Sequence, residues 1–204
     1  MNAGVGRKRK TQTERKHEAE EALMDAACKL ICERGAVRFS LAEVGALAGY
    51  SRGLVNHHFG TKEALIQRLS ERLFRDAVRR PRPDTQANAL ENILAIFDDM
   101  LTRARPDNER LKARLVIWTA AMSSPEVQAI AADADRQIRA VFERRLREGQ
   151  ADRSIRHDVD PTAQAVQMLG LYRGVCMQMF IAPEILTAAV RAEIAQTLRS
   201  SISA

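Results

Sequence analysis

The stretch from Ser40 to Leu65, SLAEVGALAGYSRGLVNHHFGTKEAL, constrains this chain more than any other. Ser40 is followed three residues later by Glu43, the spacing at which a hydroxyl and a carboxylate satisfy each other's end of a helix. The run Leu41 to Ala48 makes about two turns, and Gly49 stops them with the left-handed backbone a tight turn needs. Ser51 opens a second short helix that ends near His58 or Phe59. Gly60-Thr61 breaks that one, and Thr61 caps a long helix from Lys62 to about Arg79, with Leu65, Leu69 and Leu73 along one side. Two helices this short do not hold in water by themselves. They need a platform, and the flanking segments 17–34 and 62–79 supply it. Small residues (Ala42, Gly45, Ala46) permit a close crossing, while Val44, Leu47 and Val55 are expected to face inward. A short helix, a glycine turn and a second short helix make a helix-turn-helix.

The rest of the chain also reads as helix. Of its 204 residues 46% are hydrophobic but only 4% aromatic, with ten glycines and six prolines, and no alternating β-branched run suggests a strand. An apolar stripe through Ala22/Leu23, Ala26/Ala27 and Leu30/Ile31 predicts a helix from His17 to the stop at Gly35. After the long helix, Arg79 to Asp84 (RRPRPD) punctuates the chain with two prolines. Helices follow over about 85–103, 107–122, 125–149, 161–181 and 183–200, with a polar loop QADRSIRHDVD before Asp160-Pro161. The fold class is therefore all-α. An N-terminal three-helix helix-turn-helix domain spans 17–79, with its motif at about 40–59, and a larger C-terminal helical domain spans 84–204.

Charge is concentrated at the front. Residues 1–80 carry 16 Lys/Arg against 10 Asp/Glu, whereas 81–204 carry 16 of each. Residues 1–16, MNAGVGRKRKTQTERK, read as a basic flexible arm. A basic front with a neutral rear suits a polyanion such as double-stranded DNA, and the arm could lie in a minor groove or along phosphates. No apolar stretch approaches the ~18 residues of a membrane span, so no membrane partner is expected. The three cysteines, Cys28, Cys32 and Cys176, are too few and too scattered for a disulfide framework. A cytoplasmic protein, nucleoid-associated through DNA binding, is the expectation. Cys28 and Cys32 stand at i, i+4, but no second pair of ligands accompanies them, so packing residues are expected rather than a metal site. No paired carboxylates, nucleophile elbow or phosphate-cradling loop suggests an enzyme, and neither catalytic residues nor a cofactor is expected.

The motif resembles the DNA-binding domain of the tetracycline-repressor (TetR) family. The residues that carry the resemblance are Ser40, Val44-Gly45, Ala48-Gly49-Tyr50-Ser51-Arg52-Gly53 and, above all, HHFGTKEAL from His57 to Leu65. The loop EGQADRSIRHDVDP before an apolar helix further resembles the subset containing choline-responsive repressors. The resemblance implies that residues 52–58 enter the major groove of a palindromic operator. On physical grounds Arg52 can reach a guanine edge or a phosphate, Leu54 a thymine methyl, and Gly53 lets the backbone come close. Ser40 and Ser51 stand at helix N-termini, where free N–H groups suit phosphate oxygens, and Lys62 adds a cation. At Asn56, where many members carry Tyr, the amide can read adenine through two hydrogen bonds. Adjacent helical positions diverge by about 100°, so His57 is expected to face DNA and His58 to sit at the edge of the platform.

The same resemblance implies a homodimer and a small-molecule inducer. The 161–181 helix, PTAQAVQMLGLYRGVCMQMFI, is apolar nearly all round and carries Gly170 and Gly174 at i, i+4, which suits a two-fold interface. Trp118, Met122, Met168, Tyr172, Arg173 and Cys176 are the candidate pocket residues. The function expected is that of a dimeric, sequence-specific repressor released by a ligand. A constitutive or activating DNA-binding regulator, or more remotely a helical interaction module or an enzyme, stand as alternatives.

Overall fold

The computed structural model of the chain describes residues 11–78 and 87–204, and every regular element among them is helical. The front holds α1 (Gln12–Arg34), α2 (Leu41–Ala48), α3 (Arg52–Phe59) and α4 (Lys62–Val78). The rear holds α5 (Ala89–Thr102), α6 (Glu109–Ala120), α7 (Pro125–Ala151), α8 (Pro161–Ile181) and α9 (Ala188–Ile202).

Helix α1 starts at Gln12, five residues before the start expected at His17. Thr11 accepts a hydrogen bond from Glu14 N, and the Glu14 carboxylate accepts one from Thr11 N at 2.7 Å, the same reciprocal cap as at Ser40 and Glu43. Residues 12–16 of the expected arm are thus helical, while the expectations for residues 1–10 and for the proline-marked boundary at 79–84 lie outside the described residues. At the other end, Pro183–Ile185 form only a 3₁₀ turn, and the last helix begins after Thr187, whose hydroxyl caps Val190 N. The helix expected from Pro183 is therefore shorter at its start. The polar loop is shorter too, because α7 runs on to Ala151.

Two apolar cores form. One fills the rear, with Phe97, Phe142, Leu146, Ile155 and Met168 fully buried. The other lies under the helix-turn-helix and is built from Leu23, Ala27 and Ile31 of α1, Val44 and Val55 of the motif, and Leu65, Ile66, Leu69 and Leu73 of α4. This second core also takes in Ala113 and Ile117 of α6 and Val127 of α7. The front and rear therefore share packed side chains. Arg72 of α4, almost wholly buried, strengthens the platform by reaching Asp25 at 2.7 Å and Glu21 at 3.1 Å on α1.

Candidate nucleic-acid interface and internal cavity

The turn between α2 and α3 depends on two glycines. Gly49 adopts a left-handed conformation (φ 77°, ψ 24°), and Tyr50 N bonds back to Gly45 O at 2.8 Å. Gly45 is buried where the helices cross. A Cβ there would stand 2.9 Å from both Tyr50 O and Val55 Cγ2. Val44 and Val55 point inward as expected, but Leu47 does not. It is 51% exposed, because the one inward stripe of so short a helix is filled by Val44 and Gly45.

Helix α3 lies on the surface and buries only Val55 and Phe59. Ser51, Arg52, Gly53, Asn56 and His57 are exposed, and Leu54 is half-buried. Ser51 accepts from Leu54 N at 3.3 Å, and the first turn of α3 holds no acid. A Cβ on Gly53 would meet only Ser51 Oγ, at 3.8 Å, so the helix start is open to a large partner. His58 is half-buried against the platform. Burial depresses its pKa, partly opposed by Glu20, while His57 and Lys16 act in the same direction as burial.

Two expected phosphate contacts are differently placed. Ser40 is exposed, but the N-terminus of α2 already holds an anion. The Glu43 carboxylate takes Ser40 N and Ser40 Oγ, both at 2.8 Å, and pairs with Arg34 at 2.5 Å. These Ser40 bonds, then Arg34, hold the Glu43 carboxyl below its ordinary range. Lys62 is half-buried and folded back on the α1–α2 loop. Its ammonium donates to Val37 O at 3.0 Å and lies 5.7 Å from the Phe39 ring centroid. Sequence reasoning passed over Arg15 and Lys16 as α1 residues, for want of an apolar stripe at the helix start. Lys16 is near enough to His58 to be felt electrostatically.

A cavity of about 60 Å³ lies where α4, α6, α7 and α8 meet. Trp118, Tyr172 and Arg173 stand on its wall, joined by Arg114, Asp135, Leu169, Ile138, and Ser70 and Phe74 of α4. Three of the expected pocket residues are not there. Met122 is 80% exposed beyond the end of α6, and Met168 and Cys176 turn into the rear core, where nothing of them is left exposed. Soft side chains on a helix expected to face α6 made them pocket candidates, but such side chains fill a core equally well. The Arg173 guanidinium lies 4.9 Å from the Trp118 ring centroid and pairs with Asp135, which also binds Arg139 at 2.5 Å. Arg114 donates to Tyr172 Oη at 2.9 Å. Burial, foremost, pushes the Tyr172 phenol up to about 12, so it is neutral at ordinary pH.

No helix among the described residues is long and apolar enough to cross a membrane. One side of α8 is left open: Val166, Gly170, Met177 and Ile181 are exposed, and neither Gly170 nor Gly174 has an atom within 4 Å of where its Cβ would be.

Residues 23–69 match the profile of the bacterial regulatory proteins of the tetR family, and residues 89–203 match that of the C-terminal part of BetI-type transcriptional repressors. A curated relative, the HTH-type transcriptional regulator BetI 1 of Chromohalobacter salexigens, is 28% identical over 119 residues, which is 57% of this chain and 59% of that protein. A crystal structure described as a TetR-family transcriptional regulator from Rhodococcus sp. superposes with a TM-score of 0.81 at 21% identity, over 92% of this chain and all of the other. A regulator from Saccharomonospora viridis, crystallised with choline, superposes with a TM-score of 0.69 at 18% identity, over 92% of this chain and 99% of the other. At such identities these two structures establish the fold alone. With one profile matched across the helix-turn-helix and the other across nearly all of the rear helices, the chain belongs to the TetR family of bacterial transcriptional regulators, with a C-terminal part of the BetI type.

Proposed function

We propose that the chain is a dimeric repressor that reads a palindromic operator through α3 and lets go when a small molecule enters the cavity between α4, α6, α7 and α8. One observation carries the ligand-controlled part. Helix α4 supplies Ser70 and Phe74 to the cavity wall, while Leu65 and Leu69 of the same helix pack in the core under α3. A ligand that widens the cavity must displace α4 and with it the seat of the reading helix. Such a ligand shifts the equilibrium only by its preference for one arrangement over the other, and a coupling of about 1–3 kcal/mol suffices.

Base reading falls to Arg52, Asn56 and His57, with Leu54 and the open backbone at Gly53 against the groove. Ser51 and the acid-free start of α3 suit a phosphate. Ser40 and Lys62 take a lesser part, since their polar groups already serve Glu43 and Val37. The exposed apolar side of α8 is the dimer face. Pairing through it sets two α3 helices on one side of the duplex, about one helical turn or 34–36 Å apart. Selection of bound duplexes from a random pool tests the reading. An enriched inverted repeat bound by two chains supports it. A monomer that enriches no sequence refutes it.

A further inference from the structure

The charge on the cavity wall is unevenly balanced. Among the described residues its one carboxylate is Asp135, and that is shared out already, one oxygen to Arg173 and the other to Arg139. Arg114 is different. Among the described residues its guanidinium is paired with no carboxylate, and its polar contact is the neutral oxygen of Tyr172. Of the three aromatic rings on the wall, two are covered by cations from the chain itself, Trp118 by Arg173 and Tyr172 by Arg114, at 4.9 and 5.7 Å, and the third is Phe74. A cationic ligand would find the Trp118 and Tyr172 rings already occupied and would meet the like charge of Arg114, which no carboxylate of the wall offsets.

A second polar group of the wall is left unmatched altogether. The Ser70 hydroxyl lines the same cavity, is buried, and has no hydrogen-bond partner among the described residues. A buried hydroxyl left unmatched is costly unless something else satisfies it. The remaining wall, including Phe74 and Leu169, is apolar.

We propose that this cavity is an anion site for a small amphipathic carboxylate, with the negative charge held by Arg114, the Ser70 hydroxyl as a further hydrogen-bonding group, and the apolar body against Phe74 and Leu169. The inference rests on the reading above that this cavity is where the ligand acts. It differs from the chemistry of the choline-bound structural relative, whose ligand is a cation. The space of about 60 Å³ is well below that of a typical preformed ligand site, so the body must be slim and its entry must move the walls.

Trp118 is the chain's single tryptophan and stands on the cavity wall, so its emission reports occupancy directly. The full chain is titrated with hexanoate, hexanamide, hexylammonium and choline, followed by Trp118 fluorescence. Saturable binding of hexanoate, at least tenfold tighter than that of the amide and both cations, is the expected result. The Arg114→Met chain, checked for a cooperative melt, is expected to lose that preference. Arg114→Gln serves as the second variant should the first not fold. No saturable response to hexanoate, or tighter binding of either cation, overturns the proposal on the native chain alone. Hexanoate that binds as expected but leaves operator affinity unchanged keeps the anion site and refutes the inducible reading, so the two failures are distinguishable.

Discussion

Gly45 and Val55 touch across the turn so closely that a single methyl group on the glycine would stand 2.9 Å from Val55 Cγ2. The same methyl would stand 2.9 Å from Tyr50 O, and that atom is backbone. Val55 is fully buried and cannot swing away without opening the core below it. Gly45→Ala gains helix propensity but overfills the crossing, a change that costs about 1–3 kcal/mol in a packed interior. The expected outcome is a lower unfolding midpoint together with weaker operator binding. A variant as stable as the parent would show that the helices can part at no cost, and the crossing would then not be set by Gly45.

His58 gives the front a sensitivity to acid. Burial, its largest cause, holds its folded pKa below the ordinary 6.5. The unfolded chain therefore takes up a proton at higher pH than the folded chain does, and ∂ΔG/∂pH for unfolding is positive across that window. Stability from this residue is complete above about pH 6.5 and falls as pH drops from there through the depressed folded value. Denaturant melts from pH 7.5 to 5 should show the native chain losing stability faster than His58→Gln. Parallel curves would mean that Glu20 and solvent offset the burial.

Much of this architecture is legible without coordinates, for a physical reason. The caps at Ser40, Ser51, Thr61 and Asp160 and the turn at Gly49 are local, and the residues that make them are adjacent in sequence. The start of α1 is just as local, with Thr11 and Glu14 spelling the same cap as Ser40 and Glu43, but residues 12–16 carry no apolar stripe to mark them. Pro183 misleads in the opposite sense, because a proline that suits a helical first turn also suits a 3₁₀ turn. The cavity is the least legible part. Helix α8 is apolar nearly all round, so its periodicity marks no inward side and does not tell Tyr172, which borders a void, from Met168 and Cys176, which fill the core. Ser70 and Phe74 come to the wall from a helix assigned by its stripe to the front unit, and only the packing of α4 on α7 reveals them.

The proposed reading residues should separate from the positioning ones by their dependence on sequence. Arg52, Asn56 and His57 are exposed and bury nothing, so Ala at each should leave the melt unchanged. Truncating any one of these base-reading side chains should cost about 1–3 kcal/mol on the selected operator and little on a scrambled duplex. Lys62→Ala should behave otherwise. Its ammonium holds Val37 O, so its removal loosens the α1–α2 loop and weakens binding to both duplexes alike. Binding isotherms on the two duplexes for all four variants decide it. A uniform weakening for Arg52, Asn56 and His57 would reassign them to the phosphates.

Gly170 lies in the middle of the open side of α8, and apart from its chain neighbours and its own helix backbone nothing comes within 4 Å of where a Cβ would stand. Within one subunit Gly170→Arg therefore meets no obstacle, and it replaces the weakest ordinary helix former by a good one, a gain of up to about 1 kcal/mol. Across a two-fold axis the effect is reversed. A long cation would be pressed against its own symmetry mate between Val166 and Met177, both exposed in the single chain, and burying an unpaired charge is strongly unfavourable. The variant should melt no lower than the parent as a monomer, yet sediment as a single chain at concentrations where the parent is dimeric. Its affinity for a full palindrome should fall towards that for a half-site. A variant that remains dimeric and keeps its operator affinity would move the interface away from this side of α8.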